Sequence, residues 1–553
     1  MISTTDLTGS TVYLTGAFVA LGLLLLVVRR IFDRKGIKHI PGPPSPSLLL
    51  GHDYAYACQE EACSLELQWM REYGTTWRTC GALGNDVLMT VDPKAIQHIM
   101  QKSSYNYTKK IGLTHSAWLL LGPGIVTVVG KDHQRHRKIM NPAFSAAHLR
   151  SFLPLFQRIA GKLSDRWKGE LMATGESSTL LNRWLSRATL DIIGEAAFNY
   201  DYNALDGGER SAISKGYEDI FKDTEYLPGK ATVLFRAAWD YIPTPLLKLI
   251  RYIPVHPWTR IRNLNALFEE YGRQIIREQG PNTDTEKKST SKDIMSILIK
   301  ANASEDPKTR LDDEELIAEM FTLTLAGHET TSGTLTFLFW ELSKHPEYQA
   351  RMRDEIRSVR ARVTARGGSE FTIEDLESLT LTMNAIKETL RFHPIVVALQ
   401  RVAEIDDVLP LAYPIASTSG EVVTEIPVRA GQLIHMSFAG YQRLPDVWGE
   451  DAHVWNPDRF SRIETGKQTT NVGVFANLNV AAAGVRACIG WRFSVIEMQA
   501  FIAELVENFQ FDPPTEEVEI QRALAGFLFG MFPVVKGQAE RGGAMPLRIS
   551  LAQ

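Results

Sequence analysis

Cys488 lies in the run Ala481-Ala482-Ala483-Gly484-Val485-Arg486-Ala487-Cys488-Ile489-Gly490, between two glycines and two residues after an arginine. A helical pattern, Trp491 to Met498, follows at once. A thiol just ahead of a helix meets free amides and the positive end of the helix dipole, and both favour thiolate. Arg486 adds a positive charge close by in sequence. The glycines let the backbone turn tightly and approach a flat ligand. This is the chemistry of a sulfur that ligates iron. A single cysteine before a helix also serves as an ordinary buried residue, so the loop needs support from elsewhere in the chain.

Support comes from Ala326-Gly327-His328-Glu329-Thr330-Thr331-Ser332-Gly333-Thr334. Apolar residues flank it: Met320, Phe321, Leu323 and Leu325 before, Phe337 to Trp340 after. Poor helix formers and a charge interrupt an element that otherwise reads as buried. Such a local conflict points to function. Glu329-Thr330 sets an acid beside an alcohol, a pair suited to moving protons. Gly327 is expected to let a flat cofactor approach and to loosen the helix.

These groups need a frame. Asp312-Asp313-Glu314-Glu315 opens a long helical run that closes at Lys344-His345 before Pro346, acidic at its start and basic at its end as the macrodipole favours. Glu388 and Arg391 share one face of a second helix that ends before Pro394. Asn456-Pro457-Asp458-Arg459-Phe460 follows further on. His133 to Lys138 begins a basic helix, which without support would be a solvated face. Tyr105 to Val128 reads as a loop region around Gly122-Pro123-Gly124.

Taken together, these motifs closely resemble the cytochrome P-450 haem-thiolate monooxygenases, from Ile40 to about residue 535. The resemblance implies a mainly α fold with a smaller β-rich part, preceded by one N-terminal transmembrane helix. It implies haem b with Cys488 as the axial ligand, whose thiolate favours O–O cleavage. Arg137, His133 and Arg401 are then expected at haem propionates, with Arg486 and Gly327 also against the cofactor. Thr330 and Glu329 become the oxygen-activation pair. Glu388, Arg391 and Arg459 become a buried structural ion network. Two departures stand out: His133 replaces a Trp, and Ala481 replaces a Phe that packs across the cysteine loop. Phe475, Leu478 and Trp491 are the residues available to fill that space.

The chain has 553 residues, 44% of them apolar, and a net charge of −4, which gives no reason to expect nucleic acid. Four cysteines make no dense disulfide framework, and Cys58 and Cys63 read as ordinary residues. Thr11 to Val28 is nearly uncharged, about 27 Å long as a helix, and is followed by Arg29, Arg30, Arg34 and Lys35. Positive charge behind the run is the reverse of a cleaved signal and puts the C-terminal side in the cytosol. The expected organisation is a membrane anchor over 1–30, a basic and Pro-rich linker over 31–50, and a catalytic domain over 51–553. Its place would be the endoplasmic reticulum membrane, spanned once, with the catalytic domain cytosolic. Pro228 to Leu264 mixes aromatic, aliphatic and basic residues and suits either a membrane interface or core packing. The polar stretch from Pro281 to Lys292 reads as a loop.

No flavin-binding region follows Cys488, so NADPH electrons would arrive through a separate NADPH-cytochrome reductase, or a cytochrome b-type donor. Pro394 to Leu399 and Gly526 to Gly530 would line a largely apolar pocket, which calls for a hydrophobic substrate: a terpenoid, sterol or other lipid. The competing reading is a haem-thiolate isomerase, dehydratase or peroxygenase acting without a reductase. Glu329-Thr330 argues against it.

Overall fold

The computed structural model describes residues 36–174, 177–206, 227–253, 256–279, 293–462, 470–525 and 530–553, together with Gly22. The rest of the anchor run, the 281–292 loop and residues 526–529 of the pocket turn therefore lie outside the described residues. Among the described residues no helix is long and apolar enough to cross a membrane.

One helix, Asp313–Lys344, organises the larger core. Its 32 residues make a rod about 48 Å long. Asp312 caps it through the Glu315 amide, and Glu315 reaches back to the Asp312 amide, so two donors that would otherwise be orphaned are satisfied. Leu335, Phe337, Leu338, Phe339 and Leu342 are fully buried along it. The helix runs unbroken through the polar interruption, contrary to the expectation that Gly327 would loosen it. Along it Thr324, Thr330, Thr334 and Thr336 each donate a hydroxyl to the carbonyl one turn back, at 2.7–2.9 Å, so these hydroxyls are answered without opening the helix. The interruption is polar, but the hydroxyls of Thr330, Ser332 and Thr334 are satisfied inside the helix.

A smaller core surrounds a five-stranded sheet, ordered Thr76–Cys80, Asp86–Thr90, Leu433–Ser437, Ala398–Ala403, Tyr107–Thr108. The second and third strands pair parallel and the rest antiparallel, with Arg401 opposite Ile434. The Pro-rich stretch does not stand free as a linker. Ile37 and Ile40 are buried in this core. Arg78 N–H donates to the Pro41 carbonyl at 2.8 Å, and a side chain at Gly42 would collide with the Arg78 carbonyl.

The 105–128 stretch contains a helix, Ile111–Leu121, where the sequence suggested only loop. It packs Leu119 against Trp239, Leu247 and Ile250 in a third, small core. The 228–264 region thus divides between its two readings. Those three residues are core, while Phe235, Leu246, Leu249, Tyr252 and Ile253 remain exposed.

A candidate cysteine-anchored cofactor site

The cysteine loop is held from three sides. Cys488 N–H donates to the Ala481 carbonyl at 2.8 Å and closes the loop on itself. Gly484 has φ +63° and lies against the Met100 carbonyl, where an added Cβ would sit 2.2 Å from the oxygen, so only glycine fits. Arg137 donates to the Ala487 carbonyl at 2.7 Å from the basic helix Gly130–Met140. Behind the loop, Phe475 and Trp491 pack ring to ring at 5.4 Å, and Leu478 is fully buried. Ala481 itself is buried.

The Cys488 side chain is exposed, yet burial pushes its thiol up, as for an atom on the floor of a recess. The amides of Gly490 and Trp491 and the charge of Arg137 pull it the other way without prevailing. Helix-start amides therefore do face the sulfur, as the spacing requires. The cation that acts on it is Arg137 and not Arg486, which corrects the reading from sequence. Arg486 belongs to the one-turn 3-10 helix Gly484–Arg486, which turns its guanidinium toward the Val128 carbonyl and the Tyr105 ring.

Arg486 joins a second group of residues instead. Burial lowers Lys109 well below the usual amine range, and Arg486 and Arg401 lower it further. Burial and then Arg486 bring Arg401 down to about 10. His133 falls to about 3 through burial, then Arg486, Lys109 and Arg137. Lys109 donates to the Val126 carbonyl, Arg401 to the Gln400 carbonyl at 2.8 Å, and the Tyr105 hydroxyl meets His133 Nδ1 at 3.3 Å. Arg486 Nε is buried and unpartnered. Among the described residues, none of Lys109, Arg137, Arg401 and Arg486 has an acidic partner. Four elements thus bring cations together, and beyond burial it is other cations that act on Lys109, Arg401 and His133. A flat ligand bearing two carboxylates, with a metal for Cys488, suits this donor set. Haem has that form, so the residues fit the cofactor expected from sequence. Lys109 and Tyr105 were not singled out there; the only signal was a pair of lysines ending an aromatic stretch.

On the central helix, Ala326 and Thr330 are exposed one turn apart, while His328, Thr331 and Ser332 are buried. Thr331 Oγ1 lies 2.8 Å from Ser494 Oγ, on the helix Trp491–Asn508 that follows the cysteine. The acid–alcohol motif therefore crosses the start of the cysteine's own helix. The Cβ direction of Gly327 is taken up by a neighbouring helix. An added Cβ there would lie 2.7 Å from Ile193 Cδ1, so its small size serves packing against the helix Leu181–Phe198. Val396, in the apolar stretch after Pro394, bridges to Gly530, which brings together the two segments expected to line a pocket.

Glu388, Arg391 and Arg459 come together in a buried network. Arg391 donates to both Glu388 oxygens at 2.7 and 2.8 Å and to the carbonyls of Gln442, Ala452 and Val454. Arg459 Nε lies 3.5 Å from Glu388, and its Nη1 meets Asp451 at 2.5 Å. The Asn456 amide donates to Glu388 as well.

The family model described as Cytochrome P-450 matches residues 41–531. Cytochrome P-450 monooxygenase 205 of Postia placenta is 32% identical over 93% of this chain and 92% of its own length. Ganoderic acid synthetase of Ganoderma lucidum is 28% identical over 88% and 90% respectively. A cytochrome P-450 monooxygenase of Hericium erinaceus is 28% identical over 97% and 98%.

Proposed function

Because the chain belongs to the cytochrome P-450 family and is a monooxygenase by that membership, we propose that it oxidises a hydrophobic terpenoid, sterol or lipid with reductase-supplied electrons. Haem is the family's cofactor, and its iron, when bound, supplies the activation of dioxygen. In this reading Cys488 is the ligand, approached by two amides and Arg137. Arg401, Arg486, Lys109 and His133 take up the two carboxylates. Thr330 presents an exposed hydroxyl whose own proton is spent on the Ala326 carbonyl at 2.8 Å, leaving lone pairs outward to accept from water. Glu329, about one-third exposed, can pass protons between solvent and that hydroxyl. The substrate class rests on the apolar lining expected around Pro394–Leu399. The G. lucidum relative is named for an acid product, which suits oxidation of one carbon more than once.

The observation that carries the reading is the unpaired cation cluster beside the cysteine loop. Cys488→Ser should abolish both the thiolate-type carbon monoxide difference band and product formation. A variant retaining both would end the ligand assignment. Thr330→Ala should keep the band but divert NADPH electrons to peroxide; unchanged product per NADPH would remove its role. Incubating membranes with a terpenoid and lipid panel, followed by mass spectrometry, tests the substrate class.

We also propose that residues 1–30 anchor the enzyme in the endoplasmic reticulum membrane with the catalytic part cytosolic. The apolar Thr11–Val28 run supports this. The exposed Leu246, Leu249, Tyr252 and Ile253, beside Lys248 and Arg251, support a second contact. Removing residues 1–30 should release part of the protein from membranes. Full solubility would eliminate the second contact.

A further inference from the structure

Glu319 lies on the central helix eleven residues before Thr330, about 16 Å away along the axis. Its side chain is fully buried, and one oxygen, Oε1, takes two hydrogens from outside the helix. The Ile125 amide donates to it at 2.7 Å, and His136 Nδ1 lies 2.6 Å from it. His136 Nε2 lies 3.2 Å from Glu315 Oε1, and Arg135 grips both Glu315 oxygens. Both ring nitrogens of His136 thus face carboxyl oxygens, so both carry hydrogens. Burial opposes that charge, but Glu319 and Glu315 outweigh it and raise His136 above 6.5. Burial also pushes Glu319 up, yet Oε1 accepts from both donors whether or not the carboxyl is ionised.

The Ile125 amide belongs to a compact turn, Gly122 to Val128. The Thr127 hydroxyl meets the carbonyls of Gly122 and Gly124 at 2.7 and 2.9 Å, and the Val128 amide donates to Gly124 at 3.1 Å. The turn sits directly on the central helix. A Cβ added at Gly124 would lie 2.7 Å from Thr322 Oγ1 and 3.1 Å from the Ala318 carbonyl. Its outward carbonyls hold two of the clustered cations. Lys109 donates to Val126, one residue beyond the amide that Glu319 accepts, and Arg486 donates to Val128 at 3.4 Å. The next carbonyl, Val129, accepts the His133 amide at 3.3 Å, where the basic helix Gly130–Met140 begins. One carboxyl oxygen therefore ties the central helix to the turn that holds Lys109 and Arg486. It also ties it to the helix that bears His133 and Arg137.

We propose that Glu319 and His136 are positioning residues for the cation cluster: they pin the 122–128 turn to the central helix and, through its carbonyls, set Lys109 and Arg486 where they receive the cofactor's carboxylates. This rests on the reading that the cluster takes up those carboxylates. On binding, Lys109 and Arg486 exchange a neutral carbonyl for a charged acceptor, which makes the stronger hydrogen bond. The pinned turn keeps both side chains within reach of that exchange. Without the pin, binding itself has to order them, and retention weakens.

The test is haem retention by the full-length, haem-loaded enzyme, read as the rate of haem transfer to excess apomyoglobin. A Lys109→Met, Arg486→Met variant serves as reference and should lose haem faster than the parent. An unchanged rate there overturns the carboxylate reading, and this proposal with it. Glu319→Leu alone should speed the transfer about tenfold, the worth of one hydrogen bond to a charged group. Glu319→Gln keeps an oxygen for both donors and should stay within about threefold of the parent. Gly124→Ala lifts the turn without touching a charge and should also speed the transfer; it carries the test if Glu319→Leu does not fold. Placed in the Lys109→Met, Arg486→Met background, Glu319→Leu or Gly124→Ala should add less than about threefold, because the groups it acts through are gone. Losses that multiply in full there show a merely structural role and overturn the proposal alone. So does an unchanged rate for Glu319→Leu and Gly124→Ala in the parent background, or a Glu319→Gln rate equal to that of Glu319→Leu. The thiolate-type carbon monoxide band verifies that each variant folds and keeps Cys488 as ligand.

Discussion

Arg391 and Arg401 are ten residues apart and both buried, at 0% and 5% exposure. Arg391 faces a carboxylate in a two-pronged contact and gives its remaining hydrogens to three carbonyls. Arg401 meets one carbonyl and is repelled by Arg486. A buried charge with every donor answered is structure: it joins Thr380–Phe392 to the 442–459 segment and has nothing left for a ligand. A buried charge whose charged neighbour is another cation keeps donors suited to an anion. Partners, more than burial, separate the two.

The sharpest way to break this contrast is Glu388→Ala. It strands Arg391 and costs ~3–5 kcal/mol, whether or not haem is bound. Thermal unfolding should show a large fall in both forms. A small loss would mean that Arg391 is as tolerant of isolation as Arg401.

Arg401→Leu should behave in the opposite sense. Haem-free protein should be as stable as the parent or more so, because repulsion is relieved. Haem-loaded protein should lose roughly 1.5–3 kcal/mol of haem affinity, the worth of a hydrogen bond to a charged group. Haem transfer to an excess of apomyoglobin measures the second, and denaturant unfolding the first. Destabilisation of the haem-free form would erase the distinction.

His133 sharpens the contrast through pH. Its folded value of about 3 lies below the unfolded 6.5, so the unfolded chain binds the extra proton between them. Haem-free protein should lose stability as pH falls from about 6.5 toward 3, and His133→Gln should flatten that part of the profile. An unchanged profile would take His133 out of the cluster.

Glu497 shows a third way to bury a charge, which is to give it up. It is fully buried, neither oxygen has a hydrogen-bond partner within normal geometry, and burial raises it well above 4.5 despite help from Thr331. Its raised value means stability declines as pH rises from about 4.5 toward that value. Glu497→Gln should keep the fold, remove that slope and leave the protein more stable than the parent at neutral pH. A loss as large as that of Glu388→Ala would show that Glu497 is ionised and paired.

What could be read without coordinates was whatever depends on short spacing. The Cys488 loop, the helix from Asp312 to Lys344 and the Glu388–Arg391 face are fixed by residues within one or two turns of each other. Lys109 escaped notice because its partners, Arg401 and Arg486, lie hundreds of positions away. Gly327 was assigned to a cofactor because a glycine in a polar interruption leaves room, and the sequence does not say for whom; Ile193 takes that room. The helix Ile111–Leu121 read as a loop because its apolar residues keep no single face, being shared between the small core and the central helix.

Lys109, Arg401 and Arg486 repel one another within the folded protein until carboxylates arrive. A ligand that binds only the folded chain adds RT ln(1 + [L]/Kd), ~4 kcal/mol at a thousandfold excess over Kd. A newly made chain therefore lives under a deadline: it captures haem, or it opens more often and is degraded. The amount of this enzyme in a cell should accordingly follow haem supply at constant messenger level, and Arg401→Leu, by easing the repulsion, should weaken that dependence.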